Sequence, residues 1–282
     1  MLANPVAIGI DDRGRVYVTE TARRKTSNLD IREHRGWMTE DLSFTSVEDK
    51  REFLHRRLAP SRSGEYDWLD DRNRDGSADW RDLTVQSEKI HRLTDTEGDG
   101  TADSSVVFAE GFDTEVTGVA AGVLPVDEYV YTTIAPDLWQ LEATDEDGRS
   151  NRRVSLIDGF GVHFGYAGHD MSGLTRGPDG KIYWSIGDIG VNTTGPDGRQ
   201  WKYPNQGVVA RANPDGSDFE IFAHGLRNPQ ELAFDKFGNL ISVDNDGDRS
   251  GEHERIVYIT EGSDTGWRMN WDWTPCLPVS PS

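Results

Sequence analysis

The sequence predicts an all-β fold, and more specifically a β-propeller built from four-stranded blades. Three observations lead to this prediction. A strand–turn–strand segment recurs along the chain, and 30 glycines and 12 prolines in 282 residues provide many tight turns. The last three copies of the segment lie roughly 55–58 residues apart, which is close to the spacing of propeller blades.

The repeated segment is an apolar strand, a four-residue polar turn and a second apolar strand. The third copy, for example, turns through Gly177-Pro178-Asp179-Gly180. The four copies occupy residues 6–20, 117–131, 171–188 and 231–244, and the second is the loosest match. Repeats of this kind stack to bury a continuous core, so we expect one propeller over residues 1–282.

The first two copies lie much further apart than the others. Residues 21–105 are therefore predicted to be a polar insertion in the first blade, with a short helix over residues 47–58. Propellers with blades of this kind usually need more than four blades to close the ring. We therefore interpret the chain as a fragment of about four blades, interrupted at both ends.

Composition excludes several classes of function. Fifty acidic residues against 30 basic ones give a net charge of −20, which opposes binding to nucleic acid or to anionic lipid. The single Cys276 cannot form an internal disulfide, and no Cys-x-x-Cys-His haem attachment sequence is present. No apolar run is long enough for a membrane span. This composition suits a periplasmic or extracellular protein, although no signal segment precedes the first strand.

The hairpin repeat predicts where polar residues meet, because facing residues in an antiparallel pair have a constant sum of positions. Pairing Arg176 with Lys181 places His169 opposite Asp188. A carboxylate beside an imidazole fixes its tautomer and raises its basicity, as a general base requires. The alternative is a solvated loop histidine beside a turn aspartate.

The same arithmetic applies to the other hairpins. Pairing Phe234 with Asn239 places Arg227 and Asn228 opposite Asp246 and Asn245, and the first hairpin brings residues 4–5 near Glu20. Polar groups thus gather at the open ends of three hairpins, where a propeller forms its central binding site. A structural ion pair is an equal alternative for Arg227.

Two acidic loops, at residues 71–82 and 95–103, resemble the start of calcium-binding loops. Oxygen donors at alternate positions followed by glycine suit a hard cation with many ligands. In the first loop these donors are Asp71, Asn73 and Asp75, and Asp82 stands at the twelfth position. The alternative is an acidic turn between strands.

Two motifs resemble the soluble quinoprotein glucose and aldose sugar dehydrogenases. One extends from His169-Asp170-Met171-Ser172-Gly173-Leu174 to Ile186-Gly187-Asp188, and the other begins Gly225-Leu226-Arg227-Asn228-Pro229-Gln230. Together they cover roughly residues 165–270. The earlier region is similar to the large planctomycete-type membrane-bound dehydrogenase relatives, which carry Asp-Gly-rich insertions and often a haem domain.

The resemblance implies a six-bladed propeller that binds pyrroloquinoline quinone (PQQ) and calcium and oxidises a sugar or another alcohol. His169 is then the base that removes the hydroxyl proton, and Asp188 orients it. Arg227, Asn228 and Gln230 are expected at the cofactor and the reacting centre. The family holds its calcium through backbone carbonyls of a Gly-Pro segment. This chain has Asp244-Asn245-Asp246 there, so Asp244 and Asp246 are the expected metal ligands.

Two alternatives stay open. One is a non-catalytic propeller that binds carbohydrate or protein. The other is a calcium-dependent lactonase-like propeller whose metal is held by Glu20, Asn228 and Asp244. The dehydrogenase hypothesis implies a small sugar or alcohol substrate and an electron acceptor such as a cytochrome c domain in a longer parent protein.

Overall fold

A computed structural model describes residues 2–142, 147–165, 168–245 and 251–269, and it confirms the all-β propeller fold. The described strands form five small antiparallel sheets, and four of them are the blades. Blade 1 contains β1 (Pro5–Ile10), β2 (Val16–Glu20), β3 (Glu88–Thr94) and β4 (Ser104–Phe112). Blade 2 contains β5 (Ala120–Val126), β6 (Tyr129–Ile134), β7 (Asp137–Glu142) and β8 (Arg152–Ile157).

The next two blades differ in their additions. Blade 3 contains β9 (Met171–Arg176), β10 (Ile182–Ile186), β13 (Gly207–Ala212) and β14 (Glu220–Leu226), and β11 (Val191–Thr194) pairs with β12 (Gln200–Tyr203) in a separate hairpin. Blade 4 contains β15 (Pro229–Phe234), β16 (Leu240–Asp244) and β17 (Arg255–Ile259). The first strands of the four blades, β1, β5, β9 and β15, contact one another in order. They are therefore the inner strands, and the open ends of their hairpins share one face.

The register near the turns differs by one residue from the predicted register. Arg176 pairs with Ile182 instead of Lys181, and Phe234 pairs with Leu240 instead of Asn239. A bulge in each inner strand then removes the difference, so that Met171 faces Ile186 and Pro229 faces Asp244. A bulge adds one residue to one strand only, and the predicted pairing at the open ends is restored.

The inserted region is shorter than predicted. β3 begins at Glu88, inside the expected range of 21–105, so the insertion comprises residues 21–87 between β2 and β3. It contains α1 (Met38–Asp41), α2 (Val47–Arg57) and four 3₁₀ turns at Ile31–Glu33, Arg35–Trp37, Pro60–Arg62 and Trp80–Thr84. Ser46 and Asp49 form a capping box that starts α2 where the sequence predicts it. Among the described residues, no helix is long and apolar enough to cross a membrane.

The insertion packs onto the open face of the propeller. Phe53 and Leu54 of α2 and Trp37 share one core with Phe160 and Trp184 of the blades. Buried polar groups anchor the base of the insertion. The Glu88 carboxylate accepts hydrogen bonds from Thr21 Oγ1 at 2.7 Å and from the Ala120 backbone N–H at 2.8 Å. The insertion is therefore a fixed part of the face on which the open hairpin ends meet.

The first and last blades expose apolar side chains. On β1, Ile8 is 68% and Ile10 is 63% exposed, and on β17 Ile256 is 81% and Tyr258 is 58% exposed. The other face of β1 is covered, since a Cβ on Gly9 would lie 2.6 Å from the Pro125 ring of β5. Apolar rows on a propeller blade are normally covered by a neighbouring blade.

Candidate functional site

His169 and Asp188 meet at the open end of blade 3. His169 Nδ1 lies 2.7 Å from Asp188 Oδ1, and the two side chains are 5% and 0% exposed. A carboxylate can only accept, so Nδ1 carries the hydrogen in this contact. The indole Nε1–H of Trp267 donates to Asp188 Oδ2 at 2.9 Å, which fixes the carboxylate from its other side.

Arg227, Asn228 and Gln230 lie at the junction of β14 and β15, next to this pair. The Arg227 carbonyl accepts from the Asp188 backbone N–H at 2.7 Å, and the Arg227 side chain is buried with its guanidinium 5.5 Å from the Trp267 ring centre. Gln230 Nε2 donates to Asn228 Oδ1 at 2.9 Å and to the Gly168 carbonyl at 2.8 Å. These residues therefore share one hydrogen-bonded cluster with His169 and Asp188.

Gly187 allows this cluster to pack closely. A Cβ at this position would lie 2.8 Å from His169 Cβ and 3.0 Å from Asn228 Oδ1. Any side chain at Gly187 would thus separate the imidazole from the amide. The cluster combines a proton acceptor, a buried cation and two amides, which suits acid–base chemistry on a small polar molecule beside an anion-stabilising group.

Asp244, one of the expected metal ligands, anchors the backbone. Its Oδ1 accepts from the Asn228 backbone N–H at 2.6 Å, and its Oδ2 accepts from the Arg255 guanidinium at 2.7 Å. Asp244 thereby positions the Arg227–Asn228 turn. Asp246, the other expected ligand and the predicted neighbour of Arg227, lies outside the described residues.

In the first acidic loop, carboxylates bind backbone N–H groups of the loop itself. Asp71 Oδ1 accepts from Asp75, Asp71 Oδ2 from Gly76, and Asp82 Oδ1 from the Asn73 backbone N–H at 3.0 Å. Within the ranges that the structure describes, no group of three His, Cys, Asp or Glu residues is placed to hold a metal ion. Calcium binding by Asp71, Asn73, Asp75 and Asp82 stays a prediction.

Glu20, the first residue of the lactonase hypothesis, lies beside a histidine. Glu20 Oε2 is 2.8 Å from His91 Nε2 on the neighbouring strand β3. Of the other two residues in that hypothesis, Asp244 binds backbone N–H groups and an arginine, and Asn228 bonds with Gln230. The structure therefore shows other partners for each of the three residues.

The structure adds site residues that the sequence reasoning missed, and two of them, Asn28 and Lys50, come from the insertion. Asp170, next to His169, accepts from Asn28 Nδ2 at 3.1 Å and from the Val119 backbone N–H at 3.0 Å. Lys50 of α2 donates to the Gly161 carbonyl. Burial lowers the pKa of Lys50 to about 8, although the Asp41 and Asp170 carboxylates oppose this shift, and burial raises the pKa of Asp170. The insertion thus holds the backbone beside His169.

Comparison with known proteins identifies a matching family and a relative of known name. A protein-family profile described as "Domain of unknown function (DUF7133)" matches residues 1–262. The quinoprotein glucose dehydrogenase B of Acinetobacter calcoaceticus is 33% identical over 125 residues, covering 35% of this chain and 26% of that protein.

Solved structures share the fold. A Thermus thermophilus protein described as a candidate oxidoreductase (glucose dehydrogenase) aligns with a TM-score of 0.53 and 17% identity over 95% of this chain. The PQQ-bound aldose sugar dehydrogenase of Streptomyces coelicolor aligns with a TM-score of 0.52 and 14% identity, also over 95% of this chain. The chain spans 66% and 63% of those two proteins. The resemblance to quinoprotein sugar dehydrogenase propellers is confirmed.

Proposed function

Since the chain belongs to the family of the domain of unknown function DUF7133, and its propeller is similar to quinoprotein sugar dehydrogenases, we propose a function as a PQQ-dependent dehydrogenase. Its substrate is a sugar or another small alcohol. The observation that carries the proposal is the buried pair of His169 and Asp188, with 2.7 Å between Nδ1 and Oδ1. A buried imidazole oriented by a carboxylate is the arrangement that a general base requires.

The roles of the chain's own residues follow from this pair. His169 takes the proton of the substrate hydroxyl at Nε2, and Asp188 stabilises the resulting imidazolium. Trp267 holds Asp188, and Asp244 holds the turn that presents Arg227 and Asn228. As the proton leaves, the alcohol carbon loses a hydride and becomes a carbonyl carbon.

The cluster fits the cofactor. Gly187 lets the His169 and Asn228 side chains lie close together, and the guanidinium of Arg227 and the amides of Asn228 and Gln230 suit a planar anionic quinone. These three residues would hold PQQ at the open face. The chemistry that PQQ supplies when bound is acceptance of the hydride. Calcium belongs to the same proposal. Because the Asp244 carboxylate already binds backbone N–H groups and Arg255, Asp246 is the remaining expected side-chain ligand.

The proposal also includes further blades. The exposed apolar rows on β1 and β17 are the surfaces that such blades would cover, and the solved relatives are longer than this chain. A longer protein provides room for an electron acceptor such as a cytochrome c domain. A periplasmic or extracellular location agrees with PQQ use and with the acidic composition.

The experiment is reconstitution of the full-length protein with PQQ and calcium chloride, followed by dye reduction on a panel of sugars. We expect a cofactor-induced absorbance change and sugar-dependent dye reduction. His169→Ala should lower turnover by about 10³-fold and leave the absorbance change intact. Asp188→Asn should lower turnover by about 10²-fold or more, because the ring loses its orientation.

A matched control is His55→Ala, since His55 lies on α2 with its side chain 40% exposed. This variant should retain full turnover. If PQQ causes no absorbance change in the wild-type protein, the dehydrogenase proposal is wrong. A non-catalytic binding propeller then becomes the better hypothesis.

A further inference from the structure

A cavity of about 180 Å³ lies between blade 1, blade 2 and the insertion, apart from the His169 cluster. Its walls come from the end of β4, the start of β7 and α2. This volume is smaller than the roughly 300–1,000 Å³ of pockets for drug-sized ligands, so the cavity suits a single small ring. None of the residues assigned to the proposed dehydrogenase chemistry lines it.

One wall of the cavity is aromatic. The half-buried indole of Trp139 packs edge-on against the buried ring of Phe112, with 5.6 Å between ring centres. The guanidinium of Arg153 lies 4.2 Å from the Phe112 ring centre and 5.6 Å from that of Trp139. Arg153 therefore covers Phe112 more closely, and Trp139 provides an apolar surface to the cavity.

Asp137 provides a polar group to the cavity. Its Oδ1 accepts a hydrogen bond from Ser155 Oγ at 2.5 Å. Burial raises the pKa of Asp137 to about 6, with a smaller contribution from the charge of Asp158. A largely buried carboxyl group lowers the stability of the fold when it is charged, so Asp137 is a candidate for binding a ligand.

The charges around the cavity are mixed in sign and do not favour a simple ion of either sign. Arg51 and Arg153 would repel a cation, and Asp113 and Asp137 would repel an anion. Both arginines are also engaged, Arg51 with Glu115 at 3.1 Å and Arg153 with the Gly111 carbonyl at 2.9 Å. A neutral ligand with one apolar face and several hydroxyl groups satisfies these constraints.

We propose that this cavity is a binding site for a neutral sugar ring. The ring stacks its C–H face on Trp139, and Asp137 accepts hydrogen bonds from its hydroxyl groups. The hydroxyls of Thr114 and Thr117, which also line the cavity, are further polar contacts. The site goes beyond the proposed dehydrogenase activity and does not depend on it, because binding here requires neither PQQ nor turnover.

The test is binding of glucose, cellobiose, maltose and xylobiose to the full-length protein without PQQ, measured by saturation-transfer NMR and calorimetry. We expect saturable binding of at least one of these sugars. Trp139→Ala and Asp137→Asn should each weaken its association constant by about tenfold or more. Trp139→Phe should retain part of the affinity, because it keeps an aromatic face.

Two controls make the result specific. Phe237→Ala removes an aromatic side chain that is 78% exposed on a blade 4 turn and should leave binding unchanged. Sodium sulfate and tetramethylammonium chloride should not compete with the sugar. Thermal melts check that each variant is folded. Absence of binding by all four sugars, unchanged affinity in both folded variants, or competition by either ion would overturn the proposal, whatever the outcome of PQQ reconstitution.

Discussion

Replacing Asp137 by asparagine should make the protein more stable at neutral and alkaline pH. Burial raises the pKa of this carboxyl from 3.8 to about 6. A raised pKa means that the folded state binds the proton more tightly than the unfolded chain. The contribution of Asp137 to stability is therefore fully present below about pH 4 and is lost as the pH rises through about 6.

The magnitude follows from the size of this shift. A difference of about 2 pKa units corresponds to about 3 kcal/mol, and partial exposure to water reduces this value. The amide introduced by Asp137→Asn would keep an oxygen that accepts from Ser155 Oγ but would carry no charge. Between pH 4 and pH 8 this variant should therefore gain about 2 kcal/mol of unfolding free energy relative to wild type.

The assay is urea unfolding of both proteins at several pH values, with the difference in unfolding free energy plotted against pH. All other titrating groups are shared, so their contributions cancel in the difference. A difference that does not change with pH would refute the reasoning, because Asp137 would then have the same pKa in the folded and unfolded states. The same variant should bind the sugar about tenfold more weakly, so that stability and binding change in opposite directions.

Three further predictions concern the scaffold and the acidic loop. Glu88→Ala should lower the unfolding free energy by about 3 kcal/mol in urea titrations, because it leaves buried donors without their acceptor, whereas exposed Glu128→Ala should have little effect. Gly173→Ala should cost about 2–3 kcal/mol, because φ is +67° and the Cβ would lie 2.8 Å from Leu232 Cγ. Gly14→Ala, with φ of +75° and nothing within 4 Å, should cost about 1 kcal/mol, and equal costs would contradict this reasoning. If the first acidic loop binds calcium, about 2 mM calcium chloride should raise Tm in the wild-type protein and not in Asp75→Ala; equal shifts in both would exclude this loop.

The sequence alone was sufficient for the repeat, the blades and the helix of the insertion. Alternation of apolar residues and turn residues are local signals, so each hairpin and α2 could be located without knowledge of their neighbours. The pairing of His169 with Asp188 was also predictable, since it depends on positions within one hairpin.

The tertiary structure decided how that pairing is achieved and what surrounds it. The assumed register at the turn was one residue off, and a bulge at Gly173 restores the predicted pairing at the open end. Gly173 also packs closely against Leu232 of the next blade. The contacts of Asn28 with Asp170 and of Trp267 with Asp188 join residues 142 and 79 positions apart. The cavity beside Trp139 exists only where two blades and the insertion meet. Contacts between distant segments depend on how whole elements pack, and local sequence patterns do not contain that information.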